Sequence, residues 1–387
     1  MLTHRYKLKQ VLKIGNGKDH SILQDGEYPV YGSGGLMRYV DSYLYEGESI
    51  LLPRKGTLSN IQYVDGKFWT VDTCYYSVID QNIAYPYYLY RLLKSCDLSG
   101  LDSGASIPSM TSKTYYGIKV ELPDVQTQQK IASILSAYDN LIENNNKRIK
   151  ILEQMAENLY KEWFVRFRFP NYQNTEFENG IPNGWKVENL DDFGITLDTG
   201  SRPSGGIDDS LCNGVPSLGA EAIKELAEFD YSSVKYVPIE YYEKMKRGKF
   251  DGNAILLYKD GAYIGKTTIF RNGFPFVKFA VNEHVFLIKA NNFAYQNYLY
   301  FTLHQKEYFY TMQNLNRNAA QPGLSHPDIK RVKIVVPVES VVEKYNQIIE
   351  PLLDVVFQLA KINRNLIKQR DMLLPRLMSG KLEVRHG

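Results

Sequence analysis

Lys130–Arg166 reads KIASILSAYDNLIENNNKRIKILEQMAENLYKEWFVR, and this stretch decides the fold. It contains neither proline nor glycine, and its apolar residues recur at alternating steps of four and three. That pattern predicts one long helix with a narrow apolar seam. Asp124 or Thr127 is placed to cap the helix start, and Pro170 prevents continuation. The seam positions are Ile131, Leu135, Tyr138, Ile142, Asn145, Ile149, Leu152, Ala156, Leu159 and Trp163.

Such a helix needs a partner, because a single rod of about forty residues cannot bury its own seam. The same spacing recurs in Lys344–Arg376, which predicts a second long helix. Its seam positions are Tyr345, Ile349, Leu352, Val356, Leu359, Asn363, Leu366, Arg370 and Leu373.

Antiparallel pairing of the two helices is the simplest closure. Matching the ends of the two seams sets Trp163 against Tyr345, and Asn145 then faces Asn363. Two amides in one otherwise apolar layer would hydrogen-bond to each other and fix the register. The alternative is that both amides point to solvent.

The two helices belong to an internal repeat. GASIPSMTSKTYYGIKVELP, from Gly104, matches NAAQPGLSHPDIKRVKIVVP, from Asn318, at an offset of 214 residues. GESILLPRKG from Gly47 likewise matches GNAILLYKDG from Gly252. We therefore predict an α+β chain with two similar mixed α/β domains, two long antiparallel coiled-coil helices and a pseudo-two-fold repeat. The expected boundaries are 1–124 for the first domain, 125–170 for the first long helix, 171–183 for a linker, 184–338 for the second domain, and 339–387 for the second long helix and C-terminal tail.

Local signals fill in the domains. Asp65-Gly66 predicts a hairpin, Tyr85–Leu93 a short helix, and Ser103–Lys113 an exposed polar loop. The second domain is longer, mainly through an insertion around Glu221–Lys249.

Composition limits the classes of function. Three cysteines make no disulfide framework and show no metal-ligand spacing, so a reducing, cytosolic setting is expected. No signal peptide or membrane span is apparent in the sequence. The net charge of +3 is only mildly basic, so any phosphate contacts must come from local patches. The thirty tyrosines favour polar recognition surfaces.

No catalytic centre is expected on this chain. Gly261–Thr267 resembles a phosphate-binding loop, but only three residues separate its glycines where four are needed, which favours a hairpin turn. The six histidines are scattered, and no nucleophile, carboxylate cluster or metal site is apparent. We therefore expect neither metal nor cofactor on the chain.

Four loops rich in short hydrogen-bonding side chains predict a nucleic-acid interface. Asn and Gln suit adenine edges, Arg and Lys suit guanine or phosphate, and glycine permits close backbone approach. We expect Asn318 and Gln321 to decide sequence, and Lys113 and Arg202 to decide affinity. Any one of these loops alone is also compatible with an ordinary solvated loop. The candidate DNA-binding residues are Ser33, Arg38, Arg54, Lys55, Ser109, Thr111, Lys113, Ser201, Arg202, Lys259, Lys266, Arg317, Asn318, Gln321 and Ser325.

Several motifs resemble one known family, the specificity (S) subunits of type I restriction–modification enzymes. They are QQKIASILSAYDNLI from Gln128, LYKEWF from Leu159, IPNGW from Ile181 and LPRLMSG from Leu374. The resemblance covers essentially the whole chain and, together with the duplicated plan, is specific.

The resemblance implies that each domain is a target recognition domain for one half of a split double-stranded DNA sequence. The helices would separate the domains and hold two modification subunits, which methylate adenine with S-adenosylmethionine. Restriction subunits, using ATP and magnesium, would join for cleavage. The resemblance places such a complex in the prokaryotic cytoplasm, with this chain as its non-catalytic subunit.

The main alternative is a coiled-coil adaptor whose repeated domains bind protein or peptide, for which tyrosine-rich loops are also suitable. Salt-dependent, sequence-specific duplex binding would distinguish the two, because an adaptor would show neither property. A fused nuclease–methyltransferase is disfavoured by the missing motifs.

Overall fold

A computed structural model describes residues 2–96, 98, 108–203, 205–207, 211, 213–250, 252–315 and 323–382. The chain forms two compact units. The first unit comprises residues 1–141 and 366–387, and the second comprises residues 142–365. Within the described ranges, no helix is both long and apolar enough to cross a membrane.

The first unit is built on two four-stranded sheets. Their strand orders are β2-β9-β6-β7 and β4-β3-β8-β5, and β1 pairs separately with β10. The described strands are β1 His4–Lys7, β2 Leu12–Gly15, β3 Tyr28–Gly32, β4 Gly35–Val40, β5 Tyr45–Glu46, β6 Ser49–Pro53, β7 Gln62–Val64, β8 Lys67–Thr70, β9 Cys74–Ile79 and β10 Lys119–Leu122. The short helices are α1 Leu8–Val11, α2 Pro86–Ser95 and α3 Ser112–Gly117.

Helix α2 confirms the helix predicted at Tyr85–Leu93. The hairpin prediction was wrong. Asp65-Gly66 makes no hairpin, because β7 pairs with β6 while β8 pairs with β3 and β5, so the turn carries the chain from one sheet to the other. Of the predicted loop Ser103–Lys113, residues 103–107 lie outside the described residues, 108–111 belong to no helix or named strand, and the last two residues begin helix α3. Tyr115 of α3 is fully buried and donates to the Pro53 carbonyl oxygen at 2.7 Å.

Helix α4 spans Val125–Tyr160 and begins as predicted. The Asp124 carboxylate accepts from the Thr127 backbone N–H at 2.9 Å and from its hydroxyl at 2.7 Å, and these two bonds lower the pKa of Asp124. In the first unit, Ile131 and Leu135 of α4 join the core formed by β2, β6, β9 and α2. The amphipathic seam therefore serves the domain core as well as the helix pair.

The second unit repeats this plan. Its described strands are β11 Phe177–Glu178, β12 Ile181–Pro182, β13 Lys186–Asn189, β14 Ile195–Thr199, β15 Val215–Leu218, β16 Lys235–Val237, β17 Lys249–Phe250, β18 Ala254–Tyr258, β19 Thr267–Phe270, β20 Phe279–Val281, β21 Val285–Ala290 and β22 Lys333–Val336. Its helices are α5 Leu190–Phe193, α6 Ile239–Lys244, α7 Gln296–His304, α8 Lys306–Leu315 and α9 His326–Lys330, and α10 covers Glu339–Met378.

Apart from the pair β11 and β12, the described sheets of the two units correspond strand for strand. The strand orders of the second unit reproduce those of the first unit, and they are β14-β21-β18-β19, β16-β15-β20-β17 and β13-β22. In each unit the second sheet contains one parallel pair, β3 with β8 and β15 with β20. The hairpin predicted at Gly261–Lys266 is confirmed by antiparallel pairing of β18 with β19. The α+β repeat is therefore a property of the fold as well as of the sequence.

The predicted register of the long helices is confirmed inside the second unit. The rings of Trp163 and Tyr345 lie 5.9 Å apart, and Asn145 bonds to Asn363 at 2.8 Å. Both amides are buried, so the solvent-facing alternative was wrong.

Helix α4 ends earlier than Pro170. A π-helical turn follows at Lys161–Val165. The wider turn buries two consecutive aromatic residues, Trp163 and Phe164, and both contact Tyr345. In a regular α-helix, consecutive residues lie about 100° apart around the axis, so the two side chains would point in different directions.

Every predicted seam residue is buried or half-buried, although the apolar face of α10 is wider than a coiled-coil seam. Leu353 and Phe357 are fully buried as well, with the Phe357 ring 5.5 Å from that of Phe274. The second domain therefore packs on α10 beside the seam. The buried seam residues are Ile131, Leu135, Asn145, Ile149, Ala156, Trp163, Tyr345, Ile349, Val356, Leu359 and Asn363, and the half-buried ones are Tyr138, Ile142, Leu152, Leu159, Leu366, Arg370, Leu352 and Leu373.

Candidate nucleic-acid interface

In the first unit a cleft of about 890 Å³ opens at the carboxyl ends of the parallel strands β3 and β8. Loops that leave neighbouring parallel strands at the same edge form a natural ligand crevice. One wall is the turn Ser33–Met37, and the other is Val71–Thr73. Asp19 and His20 complete the lining. The walls combine small and polar residues with the apolar side chains of Leu36, Met37 and Val71.

Hydrogen bonds to main-chain carbonyl groups, one of them from the Asn60 side-chain amide, gather four predicted residues beside this cleft. The Arg54 N–H donates to the Thr73 carbonyl oxygen at 2.8 Å, and the Arg54 carbonyl oxygen accepts from Met110 at 3.0 Å. Lys55 and Ser109 form an isolated β-bridge. Asn60 donates to the Ser33 carbonyl oxygen at 2.8 Å. The main chain thus holds Ser33, Arg54, Lys55 and Ser109 in one surface while leaving the two cationic side chains exposed.

The other predicted residues of this unit have different roles. Arg38 is half-buried and its guanidinium donates to the Leu23 carbonyl oxygen at 2.5 Å, so it holds a loop. The Thr111 hydroxyl caps helix α3 by accepting from the Thr114 N–H at 3.2 Å. Lys113, in the first turn of α3, is exposed.

The second unit has an equivalent cleft of about 530 Å³ at the carboxyl ends of the parallel strands β15 and β20. It brings together the predicted residues Arg202 and Lys266, although they lie far apart in sequence. The remaining lining residues are Ala220, Glu221, Ile223, Tyr258, Asp260, Tyr263, Asn282 and His284.

The loop after β18 is held like the loop after β6. The Lys259 carbonyl oxygen accepts from the Leu324 N–H at 3.0 Å, as that of Arg54 does from Met110. Asp260 and Gly323 form an isolated β-bridge, the counterpart of the one between Lys55 and Ser109. The two units therefore present the same pair of loops in the same way.

A close backbone approach recurs at both clefts. A Cβ atom on Gly17 would lie 1.9 Å from the Val71 carbonyl oxygen, and one on Gly200 would lie 1.6 Å from that of Val281. Both distances are far below van der Waals contact, so only glycine fits at these positions. These two glycines hold the loops that carry Lys18 and Ser201 against the end of β8 and β20.

The rim of the second cleft is a network of charges. The Arg202 guanidinium lies 3.3 Å from the Glu283 carboxylate, and Lys266 lies 3.1 Å from Glu225. Lys259 lies 3.1 Å from Asp260. The Asp260 carboxylate also lies 3.0 Å from the His284 ring.

Next to this network, His326 packs edge-on against the Phe286 ring at 4.9 Å. Burial, together with the cations Arg247 and Lys259, lowers the pKa of His326. The neutral imidazole therefore adds a hydrogen-bonding group rather than a further charge.

Two more predicted residues are engaged within the fold. The Ser201 hydroxyl hydrogen-bonds with that of Tyr241 at 2.8 Å. Ser325 caps α9, with its N–H donating to the Asp328 carboxylate at 2.9 Å. Arg317, Asn318 and Gln321 lie outside the described residues, so their roles stay predictions.

Sequence reasoning missed Glu221, Asp260, Asn282 and His284. The internal repeat could have indicated two of them. Asn282 and His284 occupy the same positions after β20 that Asp72 and Cys74 occupy after β8. Among the described residues, no group of three or more His, Cys, Asp or Glu side chains is arranged to hold a metal ion.

Comparison with known proteins identifies the family. The type I restriction modification DNA specificity domain matches residues 4–154 and again residues 182–369. The MjaIX specificity subunit of Methanocaldococcus jannaschii is 30% identical over 320 residues, which cover 77% of this chain and 69% of that protein. The EcoprrI specificity subunit of Escherichia coli is 24% identical over 162 residues, 40% of each chain.

The fold is similar to the crystal structure of a type I restriction–modification S subunit from M. genitalium. The TM-score is 0.63 at 16% identity, covering 97% of this chain and 96% of that one. The two matched segments together span most of the sequence and coincide with its two repeats. The chain therefore belongs to the family of type I restriction–modification specificity subunits.

Proposed function

We propose that each domain binds one half of a bipartite duplex DNA target. The observation that carries the proposal is the duplicated cleft, present at the ends of β3 and β8 and again at the ends of β15 and β20. Two similar readers on one chain bind two half-sites, and the geometry of the chain sets their separation.

The chemistry of both clefts suits duplex DNA. In this proposal Arg54, Lys55 and Lys113 of one domain, and Arg202 and Lys266 of the other, contact phosphates. The first three side chains are exposed, and the last two line the second cleft. Such contacts fix position, whereas side chains that reach the base edges decide sequence. Asn282 and the predicted amides Asn318 and Gln321 are the side chains of the second domain best suited to adenine.

The long helices supply the spacer and the surface for partner subunits in this proposal. In the second unit, Ile348, Val355 and Ile362 of α10 follow at intervals of seven and are 48%, 42% and 36% exposed. Ile151 and Met155 of α4 are also exposed, at 61% and 53%. Apolar stripes of this kind favour helix docking by another protein. We assign these stripes to two modification subunits.

The catalytic work belongs to the partners in this proposal. The modification subunits would bind S-adenosylmethionine and methylate adenine, and restriction subunits would use ATP and magnesium. The chain itself would act without a cofactor, in the prokaryotic cytoplasm. Methyl transfer by the purified chain alone would contradict this assignment.

The direct test exchanges one domain. Residues 1–124 are replaced by the corresponding segment of another specificity subunit, and methylated adenines are mapped across the genome of a host expressing the complex. We expect one half of the methylated motif to change and the other half to persist. The reciprocal exchange of residues 184–338 is the matched control and should change the other half. A change of both halves in either chimaera would contradict independent reading.

A further inference from the structure

The cations at the two clefts differ in their electrostatic surroundings. We call Arg54, Lys55 and Lys113, the exposed cations among the predicted DNA-binding residues of the first unit, the first rim. We call Arg202, Lys259 and Lys266 of the second unit the second rim. Each cation of the second rim lies within 3.3 Å of a carboxylate. In the described part of the chain, no first-rim cation lies within ion-pair distance of a carboxylate. The hydrogen bond of the Arg54 side chain within the described ranges goes to the Asp72 carbonyl oxygen, at 3.4 Å.

The carboxylates of the second rim are themselves accessible. Glu225 and Glu283 are 63% and 43% exposed, and Asp260 is 28% exposed. Exposed ion pairs contribute little to stability, so the pairs of Glu225 and Glu283 do not hold the fold together. Their main effect is on the local charge, because each cation that faces a phosphate has an anion beside it.

This difference matters because sequence-independent DNA affinity comes almost wholly from cations that displace counterions from phosphates. An unpaired cation displaces a counterion on any duplex. A cation already neutralised by a carboxylate gains little from a phosphate, because the carboxylate is then left facing that phosphate.

We propose that the two domains contribute unequally to DNA binding. The first domain supplies most of the sequence-independent affinity for duplex DNA. The second domain binds tightly only where contacts to bases supplement its ion-paired rim. This inference rests on the proposed DNA-binding function. It assigns the first rim to phosphates of any sequence. It assigns the carboxylates Glu225, Asp260 and Glu283 to the suppression of binding at wrong sequences.

The test measures the salt dependence of binding to a duplex that lacks the target. The full chain is used in complex with its modification subunits, between 50 and 200 mM salt. Each phosphate contact adds about 0.9 to the slope of log affinity against log salt. The triple variant Arg54→Ala, Lys55→Ala, Lys113→Ala should therefore lose about 2.7 of the slope. The corresponding variant at Arg202, Lys259 and Lys266 should lose less than about 1.

A reciprocal variant tests the carboxylates directly. Glu225→Gln, Asp260→Asn and Glu283→Gln together should steepen the slope and tighten non-target binding. For each phosphate that is newly neutralised, the tightening should be about 3.5-fold larger at the lower salt than at the higher. The matched control is Lys147→Ala on α4, which removes an exposed ion pair with Glu143; neither residue lines a cleft. It should leave the slope unchanged.

The outcomes separate the inference from the proposed function. Equal slope losses from the two rims, or no loss from either, would overturn the unequal division while duplex binding stands. An unchanged slope in the carboxylate variant would also overturn it, and this variant decides if the first-rim variant does not fold. A wild-type complex without salt-dependent duplex binding would overturn both the inference and the proposed function.

Discussion

The side-chain amide of Asn145 donates to the side-chain oxygen of Asn363 at 2.8 Å, in a layer where both residues are almost fully buried. Asn363 in turn donates to the Asn146 side-chain oxygen at 2.8 Å and to the Ile142 carbonyl oxygen at 3.4 Å. The side-chain amide groups of Asn145 and Asn363 therefore both donate to residues of the opposing helix. A shift by one heptad would set Asn145 against Val356 or Arg370, and Asn363 against Tyr138 or Leu152, so the amide pair would be lost.

We expect Asn363→Leu to lower the free energy of unfolding by about 1–3 kcal/mol, because it leaves the buried Asn145 amide without its partner. The double variant Asn145→Leu, Asn363→Leu should recover stability while losing the unique register. Urea unfolding measures the first effect, and site-specific cross-linking across the layer measures the second. Asn158→Leu, on the exposed face of α4, is the control. A loss at Asn363 no larger than at Asn158 would exclude a role in register.

Asp139 joins a domain helix to the helix pair in the first unit. Its carboxylate accepts from Arg370 at 2.6 Å, from Arg91 at 3.3 Å and from the Tyr87 hydroxyl. Burial and this carboxylate raise the pKa of Tyr87, so its hydroxyl keeps the proton it donates.

Asp139→Asn should cost about 3 kcal/mol of stability, because the buried Arg91 guanidinium loses its counter-charge and Arg370 keeps only that of Asp371. Thermal unfolding of the full chain measures the effect. The control, Glu121→Gln, breaks the exposed pair with Arg5 and should cost less than about 1 kcal/mol. Equal costs for the two variants would show that Asp139 is not a structural hub.

Thr111 and Ser325 occupy equivalent positions at the start of α3 and α9. Their hydroxyls are engaged in capping, so we expect Thr111→Ala and Ser325→Ala each to lower stability by about 1 kcal/mol. The methylated motif should stay the same in both. A changed methylated motif with unchanged stability would instead show that these two residues contact bases.

Glu153 of α4 is half-buried beside Leu226, and burial raises its pKa to about 7. Between pH 4.5 and 7 the folded chain therefore holds a proton that the unfolded chain releases, so this group's contribution to stability falls as the pH rises. Glu153→Gln should raise the free energy of unfolding at pH 8 by about 1 kcal/mol, after allowance for solvent screening, and change it little at pH 4.5. Urea unfolding at the two pH values measures this. Glu143→Gln, an exposed change on the same helix, should show no such difference.

Periodic and repeated features were predictable from sequence. The pairing of Trp163 with Tyr345 followed from spacing alone, since a heptad pattern determines which residues face each other. The π-helical turn after Tyr160 was not predictable in this way, because it depends on burying Trp163 and Phe164 against Tyr345. Local propensity cannot report such a long-range contact.

The same reason explains why only part of the candidate site could be predicted from the sequence. Loop composition indicated Arg54, Lys55 and Arg202 as surface cations. The pairing of Arg202 with Glu283 joins residues from different loops of the fold, and no local pattern announces it. Thr111 and Ser325 were predicted to bind DNA, and the structure places them in helix caps.

The two repeats keep the same strand order although their chain lengths diverge along the way. Gly17 corresponds to Gly200, Gly47 to Gly252, Thr70 to Ala280 and Thr111 to Ser325, so the separation grows from 183 to 205, 210 and 214 residues. Most of the added length falls between Gly200 and Gly252, in the segment that contributes Ala220, Glu221 and Ile223 to the cleft. Insertions and deletions are thus tolerated beside the cleft, while the sheet beneath it stays unchanged. A lineage of such genes has a route to new target sequences by changing loop length, without evolving a new fold.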